Sequence, residues 1–154
     1  MYTSKQIADW ILSKINVESG DTISPLKLQK LLYYCQAWHL TVFKEPLFGD
    51  KIEAWAHGPV VPTQYSRFAY ILRNDHIKIK SINLDIPVFS ESTAGLLDEV
   101  LGIYGEHSAN YLEQLTHGEK PWIDARAGIE PWRASNAEIT HASIINFYST
   151  FLNK

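Results

Sequence analysis

Ser24–Val42, SPLKLQKLLYYCQAWHLTV, decides how the rest of the chain has to be arranged. It begins as helices do: Ser24 offers a side-chain oxygen to the unpaired N–H groups of a first turn, and Pro25 has its φ preset for the first helical position. Leu28, Leu31, Leu32, Cys35, Trp38, His39 and Val42 then fall on one face, and Leu26, Tyr33, Ala37 and Leu40 widen it until little of the helix is polar. A helix apolar on most sides is expected at the centre of a domain, or against a partner, and periodicity does not choose between the two. Lys27 and Lys30 are read as solvated charges on its polar side, with an acidic partner as the alternative, and Cys35 as a small core residue.

The surrounding sequence supplies elements to cover such a helix. Thr3 followed by Gln6 is a capping-box start, after which Ile7, Ala8, Ile11, Leu12 and Ile15 make a stripe that NVESGD ends. Pro62 opens a third helix with Tyr65, Phe68, Ala69 and Leu72 on one side. Ser90 or Ser92 caps a fourth, with Leu96, Leu97, Val100, Leu101 and Tyr104, and Ser108 a shorter fifth ending at Gly118. Thr140 caps a last helix whose Ile144, Ile145, Tyr148, Phe151 and Leu152 are predicted to face inward. Lys51–His57 reads as extended, and HIKIKSINL (76–84) as an edge strand or half of a hairpin. The expectation is a mainly α (α+β) compact single domain, residues 1–154, of about six helices with a small β-hairpin or edge strands. A chain of 154 residues with five Trp and eight Tyr has enough apolar surface for one core.

Charge and cysteine usage narrow the function. A formal net charge of −3 with scattered Lys and Arg gives no footprint for phosphate neutralisation, so direct nucleic-acid binding is not expected. One cysteine makes no internal disulfide, no apolar run is long enough for a membrane span, and the N-terminus lacks the basic-then-apolar order of a signal peptide; a cytoplasmic protein is expected.

Glu53–Tyr65, EAWAHGPVVPTQY, is too apolar for an ordinary surface loop and too rich in Gly and Pro for a helix interior. Pro59 and Pro62 fix their own φ and push Gly58 and Val61 out of the helical region, so the connector is stiff. That stiffness serves either to set the angle between the extended piece and the third helix, with Trp55 and Val60 buried beneath the turn, or to present an apolar edge to a partner. Both readings can hold at once.

Three segments together, KLQKLLYYCQAWHL (27–40), PLFGDKIEAWAHGPVVPTQY (46–65) and LTHGEKPWIDAR (115–126), resemble the Panacea domain family of SocA-like antitoxins and phage-associated proteins. The marks are the Lys-Leu-Gln-Lys-Leu helix, an Ala-Trp-x-x-Gly-Pro-Val turn and a Thr-His-x-x-x-Pro-Trp segment; His57 departs from the aromatic residue, often Tyr, expected before Gly-Pro. The resemblance implies an antitoxin that neutralises a protein toxin encoded beside it, by direct binding or by handing the toxin to a protease. The alternative is a phage or mobile-element interaction protein, or proteolytic adaptor, acting on a host factor. Candidate partner-binding residues are Trp55, His57, Pro59, Val60, Pro62, Tyr65, His117 and Trp122.

Catalysis and metal chemistry find less support. His117, Glu119, Asp124 and Arg126 supply an acid, a base and a clamp on paper, and a small hydrolase using His117 and Asp124 is a further alternative. Yet no phosphate loop, nucleophile elbow, Cys-x-x-Cys pair or His-Glu-x-x-His helix is present. The six histidines make no i, i+4 pair and have no Cys nearby, so no metal or cofactor is expected. The structural alternative is that His117 caps a helix end, Trp122 fills the core, and Asp124 or Arg126 pairs locally.

Overall fold

The computed structural model describes residues 1–152. Its centre is α2 (Pro25–Phe43), capped by Ser24, whose side chain accepts from the Lys27 N–H; 15 of its 19 residues are buried. Around it pack α1 (Ser4–Ser13), α4 (Glu91–Tyr104), α5 (Ala109–His117) and α7 (His141–Leu152). The remaining helices, α3 (Pro62–Arg67) and α6 (Lys120–Ala125), are short. Three strands complete the fold: β1 (Ile52–Trp55), β2 (Gly58–Val60) and β3 (Glu138–Ile139). They form an antiparallel sheet in the order β2-β1-β3, with Ala54 opposite Pro59 and Ile52 opposite Ile139. Among the described residues there are thus seven α-helices and one small sheet, the mainly α architecture expected.

Local chemistry accounts for the element ends. Thr3 and Gln6 make the reciprocal capping box of α1, and Ser90 and Ser108 cap α4 and α5 through the N–H groups of Thr93 and Tyr111. Pro stands at the start of α2, α3 and α6, where its missing N–H costs nothing. Several polar side chains that α2 carries into the interior tie other segments to it. Gln36 donates to the Phe48 carbonyl at 2.8 Å and accepts from the Leu47 N–H at 2.7 Å, tying down the segment before β1. Tyr34 and Tyr148, from α2 and α7, both donate to Glu119 Oε1 at 2.8 Å, and Tyr33 and Tyr148 share a hydrogen bond of 2.9 Å. Cys35 is fully buried, and burial pushes its thiol pKa up, as suits a core residue.

Several expectations need correction. The residues 76–84 form no strand: Ile77 is buried through a single backbone bond to Ile23, and the chain then makes a 3-10 turn over Ile79–Ser81. The hairpin lies instead at residues 52–60, and β3 was too short for any alternation to show. The third helix stops at Arg67; Phe68 is buried while Leu72 is 80% exposed. On α2, Val42 lies at the surface, and Lys30 is fully buried rather than solvated. In α7, Ile144 and Tyr148 are buried, whereas Phe151 and Leu152 are 44% and 52% exposed, because the helix outruns the core it covers.

The contrast within α7 is measurable. Ile144→Ala should cost about 2–5 kcal/mol in denaturant-induced unfolding, as a large-to-small change at a closed site, while Leu152→Ala should cost no more than about 0.5 kcal/mol.

Candidate functional site

The three segments singled out in the sequence meet at the β1-β2 hairpin. Its main chain is gripped by side chains from both sides in sequence. From α2, Lys30 Nζ donates to the Pro59 carbonyl at 3.0 Å, and Gln29 Oε1 accepts from the Val61 N–H at 3.0 Å. From α6 and the residue after it, Trp122 Nε1 donates to the Trp55 carbonyl and Arg126 Nη1 to the Ala54 carbonyl, each at 2.8 Å. His117, the last residue of α5, stacks on Trp122 with ring centroids 4.1 Å apart and touches the Ala56 backbone. Arg126 also lies over the Trp122 ring, its guanidinium carbon 4.8 Å from the ring centroid. Arg126 is 1% exposed and also donates to the carbonyls of Glu130 and Arg133.

Gly58 makes the hairpin possible. Its φ is +106°, which L side chains rarely adopt, and a Cβ there would stand 2.6 Å from Lys30 Cε and 3.0 Å from Thr116 Oγ1. The turn therefore lies directly on the lysine that binds it. Val61, before Pro62, is extended with φ −95° and ψ 102°, as the proline demands.

Burial shapes the charges. Lys30 has lost its water, and desolvation pushes its pKa down to about 7 against the opposing pull of Glu113. The His117 pKa is also lowered, first by burial, with Glu113 pulling the other way. Glu119 is raised by burial, although the two tyrosine hydroxyls work against that rise. Asp9 goes the other way: burial favours its neutral form, but the Asp85 N–H, Lys5 and Arg67 together hold it low, and the Arg67 Nη2 to Oδ1 separation of 2.6 Å fastens α3 to α1.

Beside the hairpin lies a cavity of about 560 Å³. Leu26, Val60, Trp55 and Tyr65 supply its apolar surface, and Ala134–Asn136 form a wall on the far side of the sequence. Trp55 is oriented by its own Nε1–H to Glu53 at 2.8 Å and by edge contact with Tyr65, centroids 4.8 Å apart. A more polar cavity of about 410 Å³ adjoins it across the shared residues Leu26, His57 and Arg73.

A model of the family described as "Antitoxin SocA-like, Panacea domain" matches residues 28–123, which contain most of α2, the hairpin and the Thr-His-Gly-Glu-Lys-Pro-Trp segment. The chain belongs to this family. No curated protein and no solved structure gives a match. No helix among the described residues is long and apolar enough to cross a membrane.

In this Panacea domain the candidate residues divide into two sets. Trp55, His57, Val60 and Tyr65 line the cavity. Pro59 is buried, with its carbonyl on Lys30; Pro62 begins α3; His117 and Trp122 hold β1 and do not line the cavity. Trp55 is half-buried rather than covered by the turn, whereas Val60 is 3% exposed. The acid-base set does not assemble: Glu119 is engaged by tyrosines, Asp124 is exposed and 3.7 Å from Lys120, and Arg126 binds carbonyls instead of a carboxylate. No group of three His, Cys, Asp or Glu able to hold a metal occurs among the described residues. Outside the hairpin, the cavity residues that sequence reasoning missed are Leu26, Gln29, Arg73 and the 134–136 wall. Only Leu26 and Gln29 carried a signal, through their place beside Lys30 on α2.

Two measurements follow from this geometry. Gly58→Ala should destabilise the domain by at least about 1–3 kcal/mol in chemical denaturation, because left-handed strain adds to contact with Lys30. Lys30 should also give stability a pH dependence. Its folded pKa lies below the unfolded value of 10.5, so the unfolded chain holds more protons between those two values, and stability rises as pH rises through that window. Melting temperature measured from about pH 7 to 9.5 should show this rise, and Lys30→Met should flatten it.

Proposed function

We propose that this protein is an antitoxin that neutralises a protein toxin encoded beside it by direct binding, with the face formed by the hairpin and its adjoining cavity as the contact surface. The family match over residues 28–123 supports the antitoxin role, and the observation that carries the choice of surface is the preformed cavity on the clamped hairpin. Lys30, Gln29, Trp122 and Arg126 use polar groups to hold the main chain at residues 54, 55, 59 and 61. The surface they support is apolar and ordered before any partner arrives, which lowers the conformational cost of association. Binding, rather than bond making or breaking, is the chemistry of this reading.

Co-expression tests it. Growth arrest by the adjacent gene product should be relieved by this protein, and the two should co-purify. Asp124→Ala, at an exposed position, should protect as well as the natural chain, whereas a hydrolase relying on that carboxylate would lose about 100-fold or more in rate. An adjacent product that is harmless in every host, the native one included, removes the basis of the proposal.

A further inference from the structure

We infer that the groove takes a short extended segment of a partner protein carrying a large apolar side chain beside an acidic one, with the carboxylate bound by Arg73. The antitoxin reading supplies the identity of the partner; the chemistry of the segment comes from the groove itself.

Three observations define that chemistry. The larger cavity is floored by Leu26, Val60, Trp55 and Tyr65, so its occupant must bring apolar surface. Arg73 stands where the two cavities meet and makes no ion pair among the described residues, although its main-chain carbonyl is occupied by the Leu26 N–H at 3.1 Å. A guanidinium with no carboxylate, at the edge of an apolar floor, is matched by an anion that can accept two parallel N–H bonds. Beyond Arg73 the lining turns polar, with His57, Asn74, Asn110 and Glu113. Glu113 is engaged there by His57, its Oε1 3.1 Å from the ring Nδ1, and it makes no ion pair with Arg73.

The order apolar, cationic, polar along one continuous depression suits a chain passing through, since successive side chains of an extended segment meet successive environments. The groove floor adds a main-chain recognition element. Gln29 is 1% exposed; its Oε1 is taken by the Val61 N–H, and its Nε2 has no acceptor in the protein. A carbonyl of the bound segment completes that amide, as buried polar groups require.

The test uses the full-length chain and a phage-displayed library of random linear peptides, so it does not depend on knowing the toxin. Enriched peptides should carry an aromatic or large aliphatic residue next to Asp or Glu. Measured by fluorescence anisotropy, Arg73→Glu should weaken them about tenfold or more, and peptides with Lys in place of the acid should recover affinity for that variant. Ala134→Trp, which fills the groove from its exposed wall, should abolish binding; Ser135→Trp serves the same purpose should the first variant melt early. Failure of any peptide to enrich, enrichment without an acidic residue, or equal binding by folded Arg73→Glu and Ala134→Trp overturns the inference. Neutralisation separates the two claims. A toxin still neutralised by both variants while no peptides enrich leaves the antitoxin standing and removes the groove; acidic-apolar peptides with a harmless neighbour do the reverse.

Discussion

The hairpin of residues 52–60 is held by its main chain, and the rest of the molecule is arranged to supply the holders. A strand pair this short is marginal by itself. Here its carbonyls at positions 54, 55 and 59, and the N–H at 61, are each bound by a side chain from outside the sheet. Those side chains come from α2, from α6 and from Arg126 just beyond it, so the central helix and the chain some ninety residues later converge on the same turn. Gly58 is the point of closest approach, where the absence of a Cβ admits Lys30.

Placing a lysine in the interior is costly unless something compensates. A carbonyl oxygen and the nearby Glu113 provide that compensation, and the lowered pKa marks what burial still costs. Arg126 solves a similar problem differently: it keeps its charge, lies over Trp122, and donates from Nη1 and Nη2 to three carbonyls. The two cations together replace hydrogen bonds that a longer sheet would have made within itself.

The central helix was legible because its apolar residues leave so little polar surface, and the caps at Thr3, Ser24, Ser90 and Ser108 fall where their side-chain oxygens predict. Of the candidate residues read from the sequence, Trp55, His57, Val60 and Tyr65 share one cavity, because three of them lie in or beside a single short turn. What failed has a common origin. Lys30 was placed on a polar face because its partner, the Pro59 carbonyl, belongs to a segment distant in sequence and carries no side-chain signature. Arg73 and the 134–136 wall enter the site from irregular chain, where periodicity says nothing. Leu72 and Leu152 were assigned inward by spacing alone, although their elements end or extend beyond the core.

The attachment of the groove wall has a consequence for how such a surface can diversify. The loop that leads to Ala134–Asn136 hangs from Arg126 by the carbonyls of Glu130 and Arg133. A carbonyl bond is indifferent to the side chain of the residue that offers it. Glu130, Pro131, Trp132 and Arg133 are all exposed, so their identities are free to vary without loosening the suspension. The domain thus pairs a frame whose polar side chains are committed to one arrangement with a loop held by its main chain, where side chains can be exchanged without undoing the hold.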